Sequence, residues 1–334
     1  MTLKVGINGF GRIGRMALRS IIENNRKDIQ VVAINNRGSA EISSFLLKHD
    51  TIHGKLKAKI NHSEKLIEIN GKKISLIRET EISKINWKKY GVDVVLECTG
   101  KFNTKEKSAQ HIKSGAKKVL VSAPCKGATN IVFGVNEKTL KNSDQVISAA
   151  SCTTNCLAPV AKVINEKFII NAGFMTTVHS FTSDQKILDS IHSDLRRART
   201  AGSSMIPTST GAAKAVGLVL PELNGKLDGT AVRIPTPNVS MIDFTFQSQK
   251  KLSIDSINNV IYESSLNEFK NIIEYNTEPL VSIDFNHNPA SSIFDATQTQ
   301  VVGDNFGRIL AWYDNEWGFS NRMIDVCSRL GNYL

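Results

Sequence analysis

The chain has 334 residues, 41% hydrophobic and 22% charged, which describes a globular protein large enough for two domains and, with no apolar run near the ~18 residues of a bilayer span, excludes a helical membrane protein. Five cysteines are an odd and sparse count, so reduced thiols are expected rather than a disulfide framework. The net charge of +11 favours anionic partners, small phosphates or polyanions, but the lysines are scattered and no block reads as a nucleic-acid arm, so most of it is assigned to a solvated surface.

Leu3–Asn8 is a nearly continuous apolar run, as a parallel strand buried on both faces should be. The chain enters it without a signal-peptide pattern, and the cytosol is the expected compartment. The strand leads directly into Gly9-Phe10-Gly11-Arg12-Ile13-Gly14, a G-x-G-x-x-G opening a helical stretch from Arg12 to Asn25. Strand before and helix after is the context in which this motif binds a dinucleotide, because glycines allow the tight turn and the helix N-terminus favours a pyrophosphate. For NAD, the second strand, Ile29–Ile34, should be followed by an acidic residue for the adenosine ribose. That place reads Asn35-Asn36-Arg37-Gly38-Ser39. Asn36 can bond a ribose, while Arg37 and Ser39 could hold a 2′-phosphate that a carboxylate would repel. Strand patterns at Val92–Glu97 and Lys118–Ser122, with a helical stretch from Thr104 to Ser114 between them, continue a right-handed βαβ series.

Near the midpoint, a strand pattern at Gln145–Ala150 is followed by Ser151-Cys152-Thr153-Thr154-Asn155-Cys156 and a helical stretch to Phe168, with Leu157, Val160, Ala161 and Ile164 able to line one face. Cys152 thus falls at a strand-to-helix junction, where the helix N-terminus stabilises a thiolate, with Cys156 buried one turn on. A metal site is disfavoured, since the spacing is not C-x-x-C and no second Cys/His cluster exists. Packing and nucleophile both remain open on spacing alone. The second half then changes character. Longer alternating strands such as Val239–Phe246 indicate a mixed or antiparallel sheet flanked by helices. His179 ends a β-branched run and could serve a thiolate as base. Arg197, the Thr208-to-Ala213 turn with Thr210 and Gly211, and Arg233 on a strand are groups that bind phosphoesters.

Together with His179-Ser180-Phe181-Thr182, Leu195-to-Arg199, Pro207-to-Lys214, Arg233-to-Pro237 and Trp312-to-Gly318, the glycine turn and the Ser151-to-Cys156 stretch resemble the phosphorylating glyceraldehyde-3-phosphate dehydrogenase family, in order and over essentially the whole chain. The resemblance implies an α/β protein with an N-terminal Rossmann domain on a parallel sheet, residues 1–150 completed by a C-terminal helix within 316–334. It also implies an α+β catalytic domain with a mixed or antiparallel sheet, residues 151–315, in a cytosolic homotetramer of glycolysis or gluconeogenesis. Cys152 would attack the aldehyde of glyceraldehyde 3-phosphate with His179 as base, hydride would pass to NAD or NADP, and inorganic phosphate would release 1,3-bisphosphoglycerate. Ser151, Thr153, Thr210 and Gly211, with Arg197 nearby, are implied for the attacking phosphate, and Thr182 and Arg233 for the substrate's own. Asn315 is implied for the nicotinamide carboxamide, Asn8, Gly9, Gly11, Arg12 and Ile13 for the pyrophosphate turn, and Asn36, Arg37, Arg78 and Ser122 for other cofactor contacts. No metal is implied.

The departures from the family pattern lie at the adenosine end: Asn36 stands where NAD-specific members carry Asp, and Ile191 where they carry proline. Their joint presence implies dual or NADP-leaning use. The rivals are erythrose-4-phosphate dehydrogenase, a relative with the same thiol chemistry, and an RNA-binding or adhesion module without catalysis. The latter predicts a broken catalytic set, whereas Cys152, His179, Arg233 and Asn315 are all present. Nucleic-acid binding is thus at most secondary.

Overall fold

The computed structural model describes residues 2–334. They form two compact units, one running to Ser151 and joined by Ser320–Leu334, the other Cys152–Phe319.

The first unit is built on a nine-stranded sheet. Thr129–Asn130, Val146–Ser148, Lys118–Val121, Val94–Glu97, Leu3–Asn8, Ile29–Asn35 and Lys72–Ile77 run parallel in that spatial order, and the antiparallel hairpin of Leu66–Ile69 and Ile60–Ser63 extends one edge. Val5, Ile7, Val94, Val95, Leu96, Val119 and Leu120 are wholly buried, which is why these strands read as continuous apolar runs rather than alternations. Leu3–Asn8 lies between Ile29–Asn35 and Val94–Glu97, and the parallel registers set Asn8 opposite both Asn35 and Glu97. This is a point where strand order reverses, the place where open α/β sheets bind ligands. The helix after the glycine turn spans Arg12–Glu23. The expected helix over 104–114 is two short ones, Lys105–Ser108 and Gln110–Lys113, because Ile112 N bonds to Ala109 O, a three-residue step that tightens the turn. The C-terminal helix, Trp317–Leu330, is tied to the Arg12–Glu23 helix through Ser20 Oγ, which donates to Asn321 Oδ1 at 2.9 Å.

The second unit carries an eight-stranded mixed sheet. Within it Ile170–Ser180 runs parallel to Leu227–Ile234 and antiparallel to Ser240–Ser248, which in turn pairs antiparallel with Phe306–Tyr313. The helix Cys152–Phe168 is buried far beyond the one expected face. Leu157, Val160, Ala161 and Ile164 have no exposure, and neither do Cys156 and Ala158. The small residues of this stretch let it lie between the sheet and the helices Ala212–Val219 and Ile254–Leu266, so it packs on opposite sides. Among the described residues no helix is long and apolar enough to cross a membrane.

Candidate active site

In the first unit a cavity of about 310 Å³ opens at the carboxyl ends of the parallel strands, lined among others by Asn8, Gly9, Gly11, Asn36, Arg37 and Thr99. Strand register builds its floor. Asn35 Nδ2 donates to Asn8 Oδ1 at 2.7 Å, Asn8 Nδ2 donates to Glu97 Oε2 at 2.6 Å, and Thr99 N donates to Glu97 Oε1 at 2.8 Å. Trp87 Nε1 donates to His111 Nδ1 at 3.0 Å, so His111 carries its ring proton on Nε2, which faces Glu97 Oε2 at 2.9 Å. Glu97, His111 and Trp87 come from separate elements, so no spacing in the sequence marked them.

The glycines divide by what surrounds them. Gly9 sits at φ +92°, where a Cβ would lie 2.8 Å from Thr99, and a Cβ at Gly14 would lie 2.2 Å from the Gly9 carbonyl oxygen. Both are required by the turn itself. A Cβ on Gly11 would meet no protein atom within 4 Å, so the space before Gly11 is a cradle that a side chain would fill, as a pyrophosphate site needs. The Arg12 guanidinium is not part of that cradle, being ion-paired with Asp50. Burial alone would raise the Asp50 carboxyl, but Arg12 and the N–H groups of His53 and Ile52 outweigh it and hold it at about 2. What Arg12 and Ile13 offer an anion is therefore the start of the helix rather than a side-chain charge. At the adenosine end Asn36 Nδ2 donates to Ser43 Oγ at 3.1 Å, and Arg78 Nη2 donates to the backbone carbonyl of the exposed Arg37 at 3.2 Å. Ser122 bonds through its N–H to the Glu97 carbonyl and through its hydroxyl to Cys98, apart from these groups.

In the second unit the ladders set His179 opposite Arg233, Val178 opposite Met241 and Ser240 opposite Tyr313. The start of the Cys152–Phe168 helix meets this end of the sheet, with Cys152 Sγ 3.5 Å from His179 Nε2. The other ring nitrogen, Nδ1, is 2.7 Å from the Ser180 carbonyl oxygen and 2.7 Å from Arg233 Nη1, which also donates to that carbonyl at 2.9 Å. Arg233 Nε is buried without a partner. Ser180 Oγ and Ser240 Oγ donate to Asn315 Oδ1 at 2.8 and 2.9 Å, which leaves the Asn315 NH₂ as the donating end.

The charge state differs from the expected thiolate. Burial pushes the Cys152 thiol up, against the Arg233 charge, the Thr153 hydroxyl and the N–H groups of Thr153 and Cys152. Burial and then the Arg233 charge lower His179 to about 3, against the Ser180 carbonyl. With no substrate the pair is a thiol beside a neutral imidazole, because His179 is buried, Cys152 is half-buried and Arg233 already holds the positive charge.

Around this pair, Thr182 N and Oγ1 donate to Gln185 Oε1 at 3.0 and 3.1 Å. Arg197 Nε donates to Thr208 Oγ1 at 2.7 Å and Nη1 to Asp184 Oδ2 at 3.1 Å. Thr210 Oγ1 accepts from Ala212 N at 3.2 Å, and Gly211 caps the Ala212–Val219 helix with open space before it. The Thr153 hydroxyl lies inside, 2.8 Å from Tyr313 Oη, because the buried phenol must find a polar partner. Ser151, half-buried, directly precedes Cys152 and ends the first unit's main segment. Tyr313 and Gln185 were not singled out in the sequence. Among the described residues no three His, Cys, Asp or Glu side chains gather as a metal site.

A glycine-turn dinucleotide cradle in one unit and a cysteine–histidine pair beside arginine in the other define a class, the nicotinamide-dependent dehydrogenases that oxidise aldehydes through a cysteine. The family model described as glyceraldehyde 3-phosphate dehydrogenase, NAD binding domain matches residues 3–105, and that of the C-terminal domain matches residues 151–315. The chain is 52% identical to a glyceraldehyde-3-phosphate dehydrogenase of Cereibacter sphaeroides over 100% of both proteins. It is also 52% identical to that of Xanthobacter flavus over 99% of each, and 51% identical to that of Zymomonas mobilis over 100% of each. The chain belongs to the glyceraldehyde-3-phosphate dehydrogenase family and is an NAD(P)-dependent phosphorylating dehydrogenase.

Proposed function

We propose that Cys152 adds to the aldehyde carbon of glyceraldehyde 3-phosphate while His179 takes its proton. The observation that carries this reading is the 3.5 Å approach of Sγ to Nε2, with Arg233 on the opposite ring nitrogen. Without substrate, burial and then the Arg233 charge suppress the basicity of the imidazole. A substrate phosphate drawn to Arg233, whose buried Nε has no partner in the protein, neutralises that charge and, with Thr182, anchors the substrate. Nδ1 then donates to the Ser180 carbonyl, and Nε2 keeps the lone pair that receives the thiol proton. As the S–C bond forms, the carbonyl oxygen becomes an oxyanion, toward which the new Nε2 proton and the Cys152 N–H direct their hydrogen bonds. The product is a thiohemiacetal at Cys152.

The chemistry that the nicotinamide supplies when bound is hydride acceptance, which takes the thiohemiacetal to a thioester. The groups that fit the cofactor are Asn8, the Gly9 and Gly11 turn, the helix start at Arg12 and Ile13, and Asn36, with Asn315 offering its NH₂ to the carboxamide and Arg37, Arg78 and Ser122 completing the set. Inorganic phosphate, held at Thr210 and Gly211 with Arg197, Ser151 and the Thr153 backbone, attacks the thioester carbon. Cys152 leaves with the bonding pair, and the acyl phosphate departs as 1,3-bisphosphoglycerate.

At the adenosine end the site accepts NADP as well as NAD, since the position of the expected carboxylate is Asn36 and the exposed Arg37 lines the cavity, with Arg78 bonded to its carbonyl. We assign the two units to dinucleotide binding and catalysis, and the chain to a cytosolic homotetramer. The exposed apolar residues Ile187, Leu188, Ile191 and Leu195, 76–97% accessible, support the assembly. A steady-state comparison of NAD and NADP with glyceraldehyde 3-phosphate, with and without phosphate, tests the reading. Reduction of both coenzymes, dependent on phosphate, is expected. Phosphate-independent oxidation would overturn the thioester scheme, and failure to reduce NADP would overturn the coenzyme assignment alone. A preference for erythrose 4-phosphate in kcat/KM would reassign the substrate.

A further inference from the structure

The floor of the dinucleotide cavity holds a charge that the reaction scheme leaves unused. Glu97 is 1% exposed, and His111 and Trp87 are not exposed at all. The Glu97 carboxylate accepts from four donors, Thr99 N and Thr99 Oγ1 on Oε1 and Asn8 Nδ2 and His111 Nε2 on Oε2. These four hydrogen bonds to the charged form offset the cost of burying it. Among the described residues His111 is its only ion-pairing partner, and the imidazole could neutralise it only by taking a second proton, on Nδ1. That nitrogen already accepts from the Trp87 indole N–H at 3.0 Å, and an indole can only donate. The trio therefore carries one net negative charge, sealed from water.

Strand order places this charge along the site. Glu97 ends Val94–Glu97, which flanks Leu3–Asn8 on the side opposite Ile29–Asn35, the strand leading to the adenosine end. A dinucleotide lies across such a switch point with one nucleotide on each half of the sheet, so the half that begins with Val94–Glu97 takes the nicotinamide. We propose that Glu97 is a specificity-determining residue that favours the oxidised coenzyme over the reduced one, and that Trp87 is a positioning residue that keeps His111 neutral beneath it. The oxidised nicotinamide ring is a cation and the reduced ring is neutral, so the buried carboxylate attracts the first and is indifferent to the second. Arg37, Glu79 and Lys101 also line the cavity but are exposed, where water and salt screen them. Glu97 acts through the protein, where the effective dielectric is lower. The coenzyme is thus held less tightly after it has taken the hydride than before, which favours its exchange for a fresh oxidised molecule.

This inference rests on the cavity being the dinucleotide site. The test is the set of dissociation constants of NAD, NADH and ADP-ribose for the full chain without substrate, NADH by its fluorescence and the others by calorimetry. Glu97→Gln keeps the size of the side chain and removes its charge, so the preference for NAD over NADH should fall by about fivefold, the worth of one unit charge acting through protein. His111→Gln retains a neutral donor toward Glu97 and leaves the charge in place, so it should keep the wild-type preference. ADP-ribose has no nicotinamide, and its affinity reports any loss of fit in the floor, which weakens NAD and NADH alike and leaves their ratio unmoved. A preference unchanged in Glu97→Gln, or reduced equally in His111→Gln, would overturn the proposal. Should Glu97→Gln not fold, neutron diffraction of the wild-type protein decides. A single ring proton on His111 Nε2 and none on Glu97 is expected, and a second proton on the ring or one on the carboxylate would overturn the proposal. Failure of all three ligands to bind the wild-type chain would instead refute the dinucleotide assignment itself.

Discussion

The two glycines of the dinucleotide turn should fail in different ways when replaced by alanine. At Gly14 the added Cβ lies 2.2 Å from the Gly9 carbonyl oxygen and 3.3 Å from Ile7 Cγ2. Gly9 has little room to retreat, because it sits at φ +92° beside the Cys98–Thr99 backbone, close enough that a Cβ added there would lie 2.8 Å from Thr99 N. The helix must move instead, and overpacking of this severity costs about 3 kcal/mol. Alanine's better helix propensity returns about 1 kcal/mol, leaving a loss of about 2 kcal/mol. A domain of this size then melts roughly 4–8 °C lower, and it binds NAD more weakly because the turn has shifted. At Gly11 the Cβ meets no protein atom within 4 Å, so Gly11→Ala should melt within about 1 °C of wild type. Its methyl nevertheless fills the cradle, and NAD affinity should fall by roughly tenfold or more, the equivalent of about 1.4 kcal/mol. Thermal melts and isothermal titration with NAD on both variants decide the matter. Wild-type affinity in Gly11→Ala would refute the placement of the pyrophosphate, and an unchanged melt in Gly14→Ala would refute the packing argument.

Cys152→Ser should abolish turnover while NAD still binds, and His179→Asn should cut kcat by roughly 10²-fold; near-normal rates in either would remove that residue from the scheme. Arg37→Ala should raise the KM for NADP about fivefold, the worth of an exposed charge contact of about 1 kcal/mol, with the KM for NAD unchanged; equal effects on both coenzymes would assign Arg37 elsewhere. Asp50→Asn should lower stability by about 2 kcal/mol at pH 7, since it removes the charge that Arg12 and two N–H groups hold. The folded Asp50 carboxyl, at about 2, lies below its ordinary 3.8, so its contribution is present above pH ~4 and is lost as pH falls through 2. Urea midpoints of wild type and variant should therefore converge between pH 4 and 2, and a gap that stayed constant would refute the ionic origin.

The parallel sheet was legible because burial on both faces writes a continuous apolar run, and the glycine turn because strand, turn and helix are adjacent in sequence. Cys152 and His179 could be nominated by type and local setting, but their 3.5 Å approach depends on a strand and a helix meeting across the second unit. No window of sequence contains that contact. The interior polar partners were less legible still. Glu97 under Asn8, Asp50 on Arg12 and Tyr313 on Thr153 are set by registers and packing between segments far apart in the chain. The overestimate of thiolate has the same root. Helix position and a nearby imidazole are local signals, whereas burial and the Arg233 charge belong to the assembled sheet, where the parallel register sets His179 opposite Arg233. In the proposed scheme the arginine that binds the substrate phosphate adds to burial in holding the base idle until that anion arrives. That scheme couples ionisation of the nucleophile to occupancy of the substrate site, and neither residue type nor spacing could have expressed the coupling.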